Sequence, residues 1–346
     1  MRPLGLFAFI AGGIGLLFSC ARKQERDLPE VSLKEEMSID AFSDSTYFSD
    51  VWSMVEADGD LYLCETRRRQ IVRLDAHTLS LRNTVGESGE GPENTFYVQY
   101  VQVWGDTVLA ADPVKQRMQY FDRQGHYLYS DDRFFERPIG GGNFVYLGNG
   151  RFVFSASLKR PEAVVEIDRV DTASCRYFGR KRYVDGDWLE ARKDNRRIFR
   201  QGENIVAYSN EGCFVEKYDP DGRLVDMYDF RQDQPLKGQI KRAEQKEEEE
   251  RARGQAVVET VAKEAYLYGD CLYVLFFDRE GESVSCDRVL VLDVSGEKII
   301  PKNVYRLTGG NFYVSLCADD RYLYAFCCSP EVKIQKFPLQ VVAMWF

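Results

Sequence analysis

Short runs in which apolar and polar residues alternate, each closed by an aspartate and a turn, recur along most of this chain. The fullest copy is Leu109 to Gly125, LAADPVKQRMQYFDRQG. An apolar strand ends there at Asp112-Pro113 and a polar loop follows. Arg117–Asp122 then sets Met118, Tyr120 and Asp122 against Gln119 and Phe121 before Arg123-Gln124-Gly125 turns. Alternation at period two, β-branched and aromatic residues, and Asp/Gly punctuation predict an antiparallel hairpin. The phrase returns at Ile71–Asp75, Val164–Asp168, Val215–Asp219 and Val289–Asp293, and at Val332–Phe337 without its aspartate.

The spacing predicts the architecture. Asp75 to Asp122 is 47 residues, Asp122 to Asp168 is 46, Asp168 to Asp219 is 51, and Asp293 to Phe337 is 44. A period of roughly 40–50 residues with about four short strands is that of a β-propeller blade. Six copies predict an all-β, six-bladed β-propeller. The long interval, 74 residues from Asp219 to Asp293, holds a charged insertion at about 234–263, and a second insertion falls at about 180–200. Within the first, Ile240 to Arg253 is rich in helix formers, with Glu247–Arg251 and Glu249–Arg253 at i,i+4. It predicts a largely solvated helix between blades four and five. A helical turn is also expected around Trp188. Val31 to Phe42 alternates and precedes the first blade, while the last blade shows only three strands. The N-terminal strand is therefore expected to close the last blade and remove its open edge.

These residues also carry a resemblance. The phrase from Asp112-Pro113 through Arg117-Met-Gln-Tyr-Phe-Asp122 to Gly125 resembles the NHL-type six-bladed propeller repeat. The join Val85-Gly86-Glu-Ser-Gly89-Glu-Gly91-Pro92-Glu93 resembles the Gly-x-Gly-x-Gly-Pro signature of six-bladed propeller lipoproteins abundant in Bacteroidetes. The resemblance spans roughly residues 40–340 and implies architecture rather than activity, because most members of that group have no assigned function; only the second blade keeps the full phrase.

The N-terminus adds an address. Arg2 precedes an apolar stretch from Leu4 to Phe18, and Leu17-Phe18-Ser19-Cys20 resembles a bacterial lipobox. Fifteen apolar residues suit a signal peptide better than a membrane span. The chain is therefore expected to divide into a lipoprotein signal peptide (1–19), a tether carrying lipid on Cys20 (20–30) and the propeller (31–346). A lipidated Cys20 would attach the protein to a membrane of the bacterial cell envelope, the outer membrane being favoured. Arg22-Lys23-Gln24-Glu25 does not choose between the periplasmic and surface sides.

Composition narrows the chemistry. With 44% hydrophobic and 13% aromatic residues the chain has ample sheet-packing material. A net charge of −9 argues against nucleic acid, which needs a basic stripe. Besides Cys20 there are eight cysteines, most inside predicted strands and without framework spacing, expected as buried thiols. His77 and His126, the two histidines, sit beside predicted turns, so neither a Ser-His-Asp arrangement nor a His-based metal site is expected. No cofactor is expected, although scattered carboxylates leave room for calcium in the channel.

In a propeller, blade joins and the loops between second and third strands surround one mouth of the channel. Those loops carry Arg67, Arg68 and Arg69, then Lys115 and Arg117, then Lys159 and Arg160, against Glu211, Asp278, Glu280 and Glu282 further on. Arginine's planar fork suits carboxylates and phosphates, so the basic half of the rim is the candidate ligand site, for a glycan acid or a peptide C-terminus. The reading that follows is a non-catalytic binding or scaffold module for a protein or glycan. The alternative is a channel-mouth enzyme, either a metal-dependent lactonase or hydrolase or a polysaccharide lyase.

Overall fold

Runs such as Leu61-Tyr62-Leu63-Cys64 and Phe152-Val153-Phe154 place apolar side chains on both faces of a strand, so both faces must be covered. The computed structural model describes residues 26–42, 46–133, 139–156, 159–171, 174–182, 192–234, 236–280 and 283–339. In it these runs are fully buried second strands of antiparallel meanders. The first meander pairs Val51–Ala57, Asp60–Glu65, Gln70–Asp75 and Leu81–Val85 in chain order. The second pairs Tyr100–Trp104, Thr107–Asp112, Arg117–Asp122 and Tyr127–Asp131. The third pairs Ile139–Gly148, Arg151–Ala156, Glu162–Asp168 and Cys175–Arg180. The fourth pairs Arg197–Gln201, Asn204–Ser209, Phe214–Tyr218 and Leu224–Asp229.

A nine-stranded sheet completes the molecule. One part holds Ala262–Tyr268, Cys271–Glu280, Ser283–Asp293 and Ile300–Arg306, edged by Glu30–Ser32 in parallel pairing. The other holds Phe312–Ala318, Tyr322–Ser329 and Lys333–Pro338, edged by Met37–Ile39 in antiparallel pairing. A single residue pair, Cys286 with Phe312, connects the two parts. Met37–Ile39 is the N-terminal edge strand the sequence leads one to expect. The parallel strand Glu30–Ser32, too short to show a period, is not legible in the sequence.

The core lies between sheets rather than within one. Tyr62 and Ile71 of the first meander pack on Val108 and Phe121 of the second. Met118 and Tyr120 pack on Phe152 and Phe154 of the third, and Val153 and Val164 on Ile205 and Tyr218 of the fourth. Val206 and Val215 pack on Val274 and Leu290, Leu275 and Val289 on Leu316 and Leu323. Tyr324 and Ile334 return to Leu61 and Val72 of the first meander. The sheets thus close on themselves around a central channel in a propeller-like, all-β arrangement with one long helix.

The repeated aspartate has a local task. Asp75 Oδ1 accepts from the amides of His77 and Thr78 (2.9 and 2.7 Å), Asp122 Oδ1 from His126 (2.8 Å), and Asp219 Oδ1 from Arg223 (2.8 Å). Each carboxylate therefore folds the turn into the outer strand. Gly125 in this turn has φ +94°, and a Cβ there would stand 2.4 Å from the Thr84 carbonyl oxygen. Two inner hairpins turn on residues with positive φ at both central positions, as a type I′ turn requires: Asp58-Gly59 (53° and 82°) and Asn149-Gly150 (52° and 80°).

One expectation is corrected and a second refined. Arg197–Gln201 is the inner strand of the fourth meander, so the expected insertion at 180–200 overlaps a strand. Its alternation is masked because Arg197 faces the channel while Arg200, on the same face as the buried Ile198, is taken up by the Gly202 and Leu147 carbonyls and Glu203. The helix spans Leu236–Ala252 and is exposed along most of its length, as expected, but its first turns are seated in the core, where Leu236 and Ile240 are buried with Tyr208, Phe230 and Phe276. Arg253 pairs with Glu250 (2.9 Å) in place of the expected Glu249. Among the described residues no helix is long and apolar enough to cross a membrane. Residues 1–19, Cys20 and Trp188 lie outside the described residues.

Candidate functional site

The inner strands begin at one end of the channel, and a cavity of about 410 Å³ opens there. Trp52 comes from the first inner strand, Gln99 and Tyr100 from the start of the second, and Asn143 from the third. Arg192, Asn195, Arg196 and Arg197 lead into the fourth, and Thr260 and Lys263 into the fifth. Ser155, Asn210 and Glu211 arrive from second strands and their loops. Deeper in, the channel keeps about 200 Å³ between mainly apolar side chains, including Met54, Val101, Phe144, Phe199, Tyr266 and Leu316.

Polar residues at the ends of second strands fix the entry segments that carry these groups. Glu65 accepts from the Ser49 amide (2.6 Å), Asp112 Oδ2 from the amides of Phe96 and Tyr97 (3.2 and 3.3 Å), and Ser209 Oγ donates to the Lys193 carbonyl (2.5 Å). The helix reaches the same place. Buried Glu247 accepts from Lys193 Nζ at 2.5 Å and from the Glu259 amide at 2.8 Å. It therefore ties together the two segments that bring Arg192–Arg197 and Thr260–Lys263 to the cavity.

At the floor lies a buried ionic cluster. Arg196, whose side chain is fully buried, donates through Nε to Glu216 (3.1 Å) and through Nη2 to Asp194 (3.2 Å). Its amide donates to Ser155 Oγ (3.1 Å), and the Tyr218 hydroxyl donates to Glu216 (2.9 Å). The Phe214 ring lies between the guanidiniums of Arg182 and Arg196, 3.8 and 4.3 Å from its centroid. Burial pushes the Tyr218 phenol well up, helped by Glu216. Burial also pulls the nearby Lys181 ammonium down to about 8, against the attraction of Asp194. Such a cluster is costly to assemble and holds its members in one geometry. Higher in the cavity, Arg192 pairs with Glu211 (2.6 Å) and Arg197 with Glu264.

The rim residues read from sequence are arranged differently. Arg69 and Lys115 do meet, over the Phe96 ring at 4.3 and 4.6 Å from its centroid. Lys115 also pairs with Glu90. Arg68 is engaged by Thr46, the Tyr47 carbonyl and the Phe42 ring. Arg117 donates to the carbonyls of Gly91, Pro92 and Asn94, bracing the glycine-rich join. Arg160 pairs with Glu162 (3.0 Å) and lies 3.8 Å over Tyr177. Arg67 and Lys159 are exposed. None of the seven lines the cavity. Sequence reasoning missed Trp52 and Lys263, which stand alone in inner strands, and Arg196, whose charged run 192–197 falls within the insertion expected from sequence.

None of the eight described cysteines is in a disulfide: Cys64, Cys213, Cys286, Cys317 and Cys327 are buried, Cys175 and Cys271 half-buried, Cys328 exposed. Among the described residues no group of three or more His, Cys, Asp or Glu is placed to hold a metal.

Fold and cavity together define a propeller-like all-β protein with a donor-rich channel mouth. No protein-family model and no curated protein matches the chain. Two solved structures are similar to it. One is a protein of Bacteroides fragilis described as exported, 12% identical, TM-score 0.54, covering 90% of this chain and 99% of the other. The second is a member of the DUF4221 family from Bacteroides vulgatus, 13% identical, TM-score 0.55, covering 88% and 97%. At such identity the likeness establishes a shared fold.

Proposed function

We propose that this chain is an exported, lipid-anchored, six-bladed β-propeller serving as a non-catalytic binding or scaffold module for a protein or glycan at the cell envelope. The six-blade count is supported by the nine-stranded sheet, whose two parts are joined by one residue pair and separated by a core cluster like those between the meanders. On that count the helix stands between blades four and five. The binding reading is carried by the cavity lining, where hydrogen-bond donors predominate and the one carboxylate among the described residues, Glu211, is paired with Arg192; Glu264, deeper in the channel, is paired with Arg197. A carboxylate held in an ion pair is a poor general base. That places the enzyme reading second. The likeness in fold to the Bacteroides fragilis protein described as exported is compatible with the address read from residues 1–20.

The test is capture. Full-length protein in detergent, immobilised, should retain a glycan or protein from an envelope extract and release it chemically unchanged by mass spectrometry. Time-dependent conversion of the retained molecule would establish an enzyme instead. For the anchor, Cys20→Ala should abolish palmitate labelling and free the protein from membranes; persistent labelling would overturn that part.

A further inference from the structure

The mouth cavity presents more donors than its own walls satisfy. Asn143 Oδ1 accepts from the Ile198 amide (2.5 Å), which leaves the side-chain NH₂ as the group to be paired. Ser155 Oγ accepts from the Arg196 amide, which leaves its hydroxyl hydrogen to donate. Arg196 Nη1 is buried without an acceptor. Lys263, half-buried at the start of an inner strand, makes no ion pair among the described residues. A buried donor without an acceptor is unfavourable by roughly 1–3 kcal/mol, so such a lining favours a ligand that brings acceptors.

Charge fixes which acceptor. Arg192 with Glu211 sums to zero, and so does Arg197 with Glu264. Arg196 and Arg182 balance Asp194 and Glu216. Lys263 is left over, and the buried Lys181 beside Asp194 adds a second cation, so the lining and its neighbours are net positive. Such a surplus favours an anionic acceptor, of which a carboxylate is one that the amide and hydroxyl donors of the lining can also bind. The uncharged lining chooses the rest of the molecule. Gln99, Asn143, Asn195, Asn210 and Thr260 supply amides and a hydroxyl, and the apolar surface is limited to the aromatic faces of Tyr100 and Trp52, the latter 39% exposed. Hydroxyls want amide partners and the C–H face of a pyranose wants an aromatic plane. The apolar part of the channel lies deeper, below this polar lining, so a peptide C-terminus is the competing occupant that the test has to separate.

We infer that the cavity receives the terminal hexuronic acid residue of an acidic glycan, its carboxylate at Lys263, Asn143 and Ser155 and its ring against Trp52. This rests on the binding-module reading and specifies its ligand class.

Calorimetric titration of the full chain in detergent tests it, with a glucuronate-terminated disaccharide, the matching glucose-terminated disaccharide and a short peptide with a free C-terminus. The acidic sugar should bind at least tenfold tighter than the neutral one, and added salt should narrow that gap. Lys263→Met should erase the preference and Lys263→Arg keep most of it, while Trp52→Ala should weaken both sugars. Because the comparison between probes is made on the unaltered chain, a misfolded variant does not decide the outcome. Equal affinity for both sugars, or tighter peptide binding, would overturn the ligand class and leave the binding module standing. Failure of every probe would overturn the inference too, and the capture experiment then judges the binding module separately.

Discussion

Ile240 is the sharpest place to test how the helix belongs to the fold. The charge pattern of residues 240–253 describes a solvated rod, whose removal would leave stability unchanged. In the structure Ile240 is 2% exposed and Leu236 1%, both in the cluster formed by Tyr208, Phe230, Leu272 and Phe276. Ile240→Ala deletes three buried carbons from a site walled by sheet and aromatic ring, which cannot collapse freely. The expected loss is about 2–5 kcal/mol. Against a total stability of roughly 5–15 kcal/mol that is a large share. With a urea slope of about 3 kcal/mol/M, a loss near 3 kcal/mol moves the midpoint down by about 1 M. Tryptophan fluorescence follows the transition, since Trp52 and Trp104 sit at partly exposed positions of inner strands. Glu248→Ala, on the exposed face, is the matched control and should stay within about 0.5 kcal/mol. Leu236→Ala combined with Ile240→Ala should lose less than the sum, because the two share one cluster. If Ile240→Ala shifts the midpoint no more than Glu248→Ala does, the helix is decoration and the packing argument fails.

Three further outcomes are expected. Gly179 has φ +68° and an added Cβ would stand 2.5 Å from the Tyr218 hydroxyl, so Gly179→Ala should lose about 2–4 kcal/mol, against about 1 for Gly59→Ala, where φ is +82° and nothing lies within 4 Å; urea midpoints compare them. Lys181 binds its proton less tightly folded (about 8) than unfolded (10.5), so between those values the unfolded chain holds more protons and stability rises with pH, by up to about 3 kcal/mol. Unfolding at pH 7.5 and 10.5 should show that rise lost in Lys181→Met, and an unchanged difference between the two pH values refutes it. Native alkylation should modify Cys328 first, slowly because burial raises its thiol, with the buried cysteines reacting only in denaturant; early labelling of Cys64, whose thiol burial pushes up to about 12, would contradict the packing.

The repeat was legible because its punctuation is physical. The aspartates at 75, 122, 168, 219 and 293 each accept turn amides in the structure, so their spacing reports real strand ends. Continuous apolar runs such as Leu272–Phe276 mark second strands because a strand between two sheets has no solvent face. Elements lacking either signal stayed hidden. Arg197–Gln201 carries an arginine on each face, Arg197 toward the channel and Arg200 toward the neighbouring loops, which hides its alternation, and Glu30–Ser32 is held by parallel pairing that three residues cannot announce. The helix was visible, but its burial was not, since two apolar residues near one end suffice to seat it.

The same reasoning explains why the candidate site moved from the rim to the cavity. A run of cations in a sequence shows charge but not whether that charge already has a partner. Arg68, Arg117 and Arg160 are taken up by neighbouring carbonyls, carboxylates and rings, which brace loops and leave little to offer a ligand. Lys263 and Asn143 are isolated in the sequence, yet the inner strands bring them to one cavity with donors still unmatched. Recognition depends on polar groups that folding leaves unsatisfied. Those groups are found only by following each donor to its acceptor. In a ring whose inner strands converge, the unmatched donors collect where the strands begin.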